Sequence, residues 1–134
     1  MRFLRMMLAP KEVRAALGVL DEARCHRAFE VGAFEMVRRE VEDVVLADPA
    51  GLVAVVRRGT SPREWVYCAI ANIAFDYVVS AEYHVWRGAL NPIGEDLVRV
   101  FNGAGRELVR MGACDDKAWE EQQTMLWRCI REVG

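Results

Sequence analysis

The chain has 134 residues, of which 53% are hydrophobic and 28% charged, with only four prolines. That composition excludes disorder and collagen-like or linker-rich architecture. The length predicts a single domain spanning 1–134, large enough to bury about two thirds of its unfolded surface. Basic and acidic side chains number 18 and 20, a formal charge of −2, so no net field draws the chain to a polyanion or an anionic membrane.

Residues 1–9 read as an N-terminal arm. Arg2 and Arg5 precede the apolar run Met6–Ala9, which is shorter than the ~7–15 residues of a secretory signal core. The arm is expected to pack on its own bundle or on a partner. Cys25, Cys68, Cys114 and Cys129 are widely spaced and form no CxxC. They are expected as reduced thiols of a cytoplasmic protein.

Hydrophobic spacing then divides the chain into helices, with no hairpin signal and no internal repeat. Val13, Ala16, Leu17 and Leu20 recur at helical intervals and predict a short first helix from Pro10 to Leu20. Cys25, Phe29, Ala33, Met36 or Val37, Val41 and Val44 continue as one stripe and predict a long amphipathic helix from Asp21 to about Ala47. Its wet side would carry the i to i+4 pairs Glu35–Arg39, Arg38–Glu42 and Arg39–Asp43. Asp48-Pro49 can cap and start the apolar run Leu52–Val56, which Gly59 ends; helix and strand both fit there, and the cap favours helix.

Ser61-Pro62-Arg63-Glu64 is the clearest start signal, with a serine N-cap, proline at the first helical position and glutamate two residues further on. No breaker follows until Gly88 and Asn91-Pro92. A helix is therefore predicted from Pro62 to about Arg87, roughly 39 Å long. Asn91-Pro92 should cap a further helix through Leu97, Phe101, Ala104, Leu108 and Met111, closed by Gly112. Gly103 and Gly105 inside it each cost about 1 kcal/mol relative to alanine, so a kink or a close packing contact is expected there. Asp115 should cap a last helix through Trp119, Gln123, Leu126, Ile130 and Val133. The expected fold is all-α, a compact bundle of five or six helices around a long, mostly apolar central helix.

Between Trp65 and Trp86 that central helix is apolar nearly all round, the mark of a buried helix. A membrane span is disfavoured, because Asp76, Glu82 and His84 would be expensive in lipid. Asn72, Asp76, Ser80 and His84 follow at four-residue steps and form one polar stripe about 120° wide, with Tyr83 and Arg87 in the same sector. This stripe is the candidate pocket or interface, against the plainer reading that it is where the helix meets water. Ala74, Val78, Ala81 and Val85 form a seam of small residues open to a second helix.

Chemistry is harder to find. Asp76, Ser80 and His84 cannot form a triad, because Ser80 stands where the imidazole belongs. No Glu-x-x-His pair exists, since Ala23 and Ala81 occupy the positions three before His26 and His84, and Glu22, His26 and Glu30 read as surface charge pairing rather than as metal ligands. Cys25 and His26 are consecutive and point apart, so Cys25 is expected as a buried thiol. Cys114, at the start of the last helix, is where the helix dipole would lower a thiol pKa. Gly103-Ala104-Gly105 lacks the third glycine of a nucleotide loop, with Leu108 in its place, and no strand precedes it. Arg57, Arg58 and Arg63, with Arg38 and Arg39, are weak candidates for phosphate contact, without the aromatic interleaving of a nucleic-acid surface.

No catalytic residue, metal ligand or cofactor is therefore assigned. The reading favoured is a small cytoplasmic helical protein acting by protein–protein interaction, as a homo-oligomer (a homodimer or higher), regulator or inhibitor-type partner. The alternative is an enzyme or small-ligand protein with a polar pocket beside the central helix; a nucleic-acid-binding regulator comes third.

Overall fold

The computed structural model describes residues 9–79 and 81–133, with side chains described for 9–79 and 94–124. Among these residues it contains six α-helices and one 3-10 turn, and no strand.

Helix α1, Lys11–Ala23, starts after Pro10 and buries Val13, Ala16, Leu17, Leu20 and Ala23 on one side. The long helix expected from Asp21 to Ala47 does not form. α1 takes its first three residues, a 3-10 turn follows at Arg27–Phe29, and α2 occupies Gly32–Ala47. The cause lies in His26 and Val31. The His26 ring accepts a hydrogen bond from the Ala28 N–H and caps the turn, and Val31 is extended at φ −139°. Apolar periodicity could not reveal this, because Phe29 is buried just as it would be in a continuous helix. Cys25, expected inside, is exposed as a result.

In α2 the buried line is Ala33, Val37, Val41 and Val45, whereas Met36 and Val44 face outward. Of the predicted ion pairs Arg38–Glu42 forms at 2.8 Å, while Glu35 reaches Arg38 rather than Arg39, at 2.6 Å. α3, Pro49–Arg57, resolves the helix-or-strand ambiguity in favour of helix: Asp48 accepts from the Gly51 N–H at 3.0 Å. At its far end Gly59 sits at φ +116°, and the Gly59 and Thr60 amides bond back to Val56 and Val55. That paired closure needs a left-handed residue, a conformation glycine adopts without strain.

α4, Pro62–Val79, begins where the sequence places it, with Ser61 Oγ accepting from the Glu64 N–H at 3.1 Å. It packs against α1, α2, α5 and α6 and is the centre of the bundle. Its end is not where the sequence places it. α4 stops at Val79, and α5 runs from Ala81 to Arg110 through Gly88, Asn91 and Pro92. A straight α5 would carry Phe101 about 30 Å from Ala81, yet the Phe101 ring lies 5.9 Å from that of Phe75. α5 is therefore not straight between Ala81 and Phe101. The breakers end no helix here, and Asn91-Pro92 caps none.

At the other end of α5, Gly112 at φ +76° and Ala113 bond back to Val109 and Leu108, the same closure as at Gly59. α6, Asp116–Val133, is capped by Asp115, which accepts from the Ala118 N–H at 2.7 Å. Gly103 and Gly105 of α5 prove to be contact points. A Cβ at Gly103 would stand 2.6 Å from that of Ala28, and one at Gly105 would stand 1.7 Å from the Trp119 indole. Among the described residues no helix is long and apolar enough to cross a membrane.

Candidate functional site

The polar stripe meets the structure only in part. Asn72 and Asp76 are exposed on α4. Ser80 and the side chains of Tyr83, His84 and Arg87 lie outside the described residues. The buried side of α4 carries Val66, Tyr67, Ile70, Ala71, Ala74 and Val78, so the Ala74–Val78 part of the predicted seam is packed; Ala81 and Val85 are again outside the described side chains. Nothing described converges with Asn72 or Asp76 into a cleft.

The arginines intended for phosphate divide. Arg57 and Arg58 are exposed, and the Arg58 Nε–H donates to the Ala54 carbonyl at 3.2 Å. Arg63 is engaged within the protein, 3.4 Å from Glu22 and 5.6 Å above the Tyr67 ring. Arg38 is held between Glu35 and Glu42. Its hydrogen bond holds the Glu35 carboxyl below the ordinary carboxylate range.

Cys114 also departs from expectation. Partial burial, followed by the nearby Asp115 and Asp116 carboxylates, pushes its thiol above the ordinary cysteine value rather than below it.

The polar cluster that the fold does bring together is one the sequence did not indicate. His26 Nε2 lies 3.2 Å from Glu107 Oε1, and Arg110 donates to the same oxygen at 2.8 Å. Glu107 is only 6% exposed, so its charge rests on these two partners. Beneath the imidazole the aromatic rings cluster: His26 tilted against Phe29 at 4.9 Å, and Phe29 stacked on Phe34 at 4.6 Å and on Tyr67 at 6.2 Å. Burial raises the Tyr67 hydroxyl above the ordinary tyrosine value. The partners come from the α1–α2 connection, α2, α4 and α5, and His26 and Glu107 are 81 positions apart. No local pattern could join them.

A histidine paired with a buried carboxylate is an arrangement that catalytic sites use, so the ring nitrogens need accounting. Nδ1 accepts from the Ala28 N–H at 3.1 Å, and Nε2 faces Glu107. Both are committed to the protein, and neither offers a free lone pair to a substrate or a metal ion. Among the described residues no group of three or more histidine, cysteine, aspartate or glutamate side chains is placed to hold a metal. The cluster's visible work is to fasten the α1–α2 connection onto α5. No protein-family model, curated protein or solved structure matches the chain.

Proposed function

We propose that the chain acts by protein–protein association, with a second copy of itself as the first partner, through the face shared by α2 and α4. One observation carries this reading. Met36, Glu40 and Val44 lie at four-residue steps on one side of α2, with Met36 37% and Val44 48% exposed, and the Tyr77 hydroxyl of α4 donates to Glu40 between them. Ile73, one turn before Tyr77, is only half-buried. Large apolar side chains thus remain partly exposed on two helices that the Tyr77–Glu40 hydrogen bond joins. Such a surface gains from being covered, and apolar side chains gathered around an aromatic anchor are the composition that interfaces favour.

The mode of action follows from the same face. Helix packed against helix buries Met36 and Val44 without chemistry, and the protein would serve as an assembling or regulating partner.

Sedimentation and light scattering over a concentration series, with Val44→Glu beside the unaltered chain, test the reading. Val44 is half exposed, so the substitution leaves the core intact. The unaltered chain is expected to be dimeric or larger, and the variant's dissociation constant is expected to rise at least tenfold. A chain that stays monomeric at high micromolar concentration overturns the proposal, as does a Val44→Glu variant that associates undiminished.

A further inference from the structure

The His26 ring makes two hydrogen bonds of opposite sense, and their directions determine its protonation. An amide N–H points at Nδ1 from 3.1 Å, so that nitrogen carries a lone pair and no hydrogen. The hydrogen of the neutral ring therefore sits on Nε2, where it donates to Glu107 at 3.2 Å. Turning the ring over would lose both bonds, because each nitrogen would face away from its partner.

What this ring caps is a piece of the core. The turn Arg27–Phe29 carries Phe29, only 3% exposed and stacked on Phe34 with their planes 4° apart. Ala28 and Phe29 press into the space that Gly103 leaves on α5, where even one methyl group would stand 2.6 Å from Ala28. The turn is a plug seated in a glycine notch, and His26 is its cap.

We propose that His26 is a proton-sensitive latch on this plug. A proton arriving on Nδ1 sets donor against donor at the Ala28 N–H, and the cap is lost. The same proton gives the ring a full positive charge beside Glu107, which strengthens the contact at Nε2. The ring stays on α5 while the turn lets go of the ring. Protonation thus divides the two halves of one bridge, loosening Arg27–Phe29 without detaching His26.

The ionisable neighbours on every side are compatible with this division. From α5 come Glu107 and Arg110, the latter already paired with that carboxylate. From α4, Tyr67 stacks on Phe29 and carries Arg63 over its ring, Arg63 pairs with Glu22 of α1, and Arg24 lies within electrostatic reach of Glu35 of α2. Among the described residues Glu107 is the anion that hydrogen-bonds the imidazole, and it faces Nε2, not Nδ1.

Nuclear magnetic resonance on the full chain tests the latch. The nitrogen shifts of the neutral His26 side chain are expected to report the Nε2–H tautomer. The protection factor of the Ala28 amide against hydrogen exchange is expected to fall about fivefold or more as the pH is lowered, in step with the appearance of a proton on Nδ1 in the same nitrogen shifts. A His26→Asn variant keeps an acceptor at the Nδ1 position that takes up no proton, and its Ala28 protection is expected to stay level over the same range. An Nδ1–H tautomer overturns the proposal. So does Ala28 protection that ignores the His26 titration, or that falls equally in His26→Asn.

Discussion

Gly105→Ala separates local helix preference from tertiary packing, because the two demand opposite signs. Within a helix the substitution should stabilise by about 1 kcal/mol. The added Cβ, however, would stand 1.7 Å from Cε2 and 1.8 Å from Cζ2 of Trp119. These atoms belong to the body of the indole, so no terminal rotation relieves the overlap. Ordinary carbon contact near 3.5 Å requires the ring to retreat by roughly 1.8 Å. The ring is buried and stacked on Phe101 at 4.4 Å. Overpacking costs about 1–3 kcal/mol and the lost stack about 1 kcal/mol more. With the helix gain subtracted, Gly105→Ala is expected to destabilise by about 2 kcal/mol, lowering Tm by roughly 8 °C. Urea and thermal unfolding followed by far-ultraviolet circular dichroism measure it. Gly18→Ala supplies the control: Gly18 lies inside α1 with nothing within 4 Å of an added Cβ, so the same change should stabilise there by about 1 kcal/mol. In a Trp119→Leu background the Gly105→Ala penalty should largely vanish. If Gly105→Ala stabilises as much as Gly18→Ala, the packing of α6 on α5 described above is wrong.

Two further outcomes follow from single contacts. Asp48→Ala removes the acceptor of the Gly51 N–H and should cost about 1 kcal/mol in urea unfolding; an unchanged midpoint would show that the cap contributes nothing. Burial holds the Tyr67 hydroxyl above its ordinary range, so above about pH 10 the unfolded chain loses this proton before the folded one does, and stability falls as pH rises further. Tyr67→Phe should flatten that alkaline decline, though not abolish it, because burial shifts the Cys68 thiol in the same direction. Parallel curves for the two proteins between about pH 9 and pH 11 would count against the burial of Tyr67.

The start and stop signals were legible wherever a residue satisfies its own helix end. Ser61, Asp48 and Asp115 accept the amides their positions predict, and Gly59 and Gly112 take up left-handed closures. The pairing of small with large was legible in part. Gly103 and Gly105 announced a close contact, but not that its other sides were Ala28 with Phe29, and Trp119. The break at His26 was invisible, because a buried phenylalanine on a 3-10 turn leaves the same apolar rhythm as one on an α-helix. The rotation of α2 that buries Val45 and exposes Val44 was hidden for a related reason: adjacent valines are interchangeable to a periodicity argument, and only the position of a neighbouring helix chooses between them.

By itself the sequence determined an all-helical chain, most of its helix ends, and α4 as the element the others surround, because these depend on backbone amides and apolar rows within a few residues of one another. Tertiary structure alone decided where α4 ends, that α5 runs on through its breakers, and which polar groups meet. His26 reaches Glu107 only because a turn and two helices bring them within 3.2 Å. A buried carboxylate must find its partners wherever packing delivers them, and packing is a property of the whole chain.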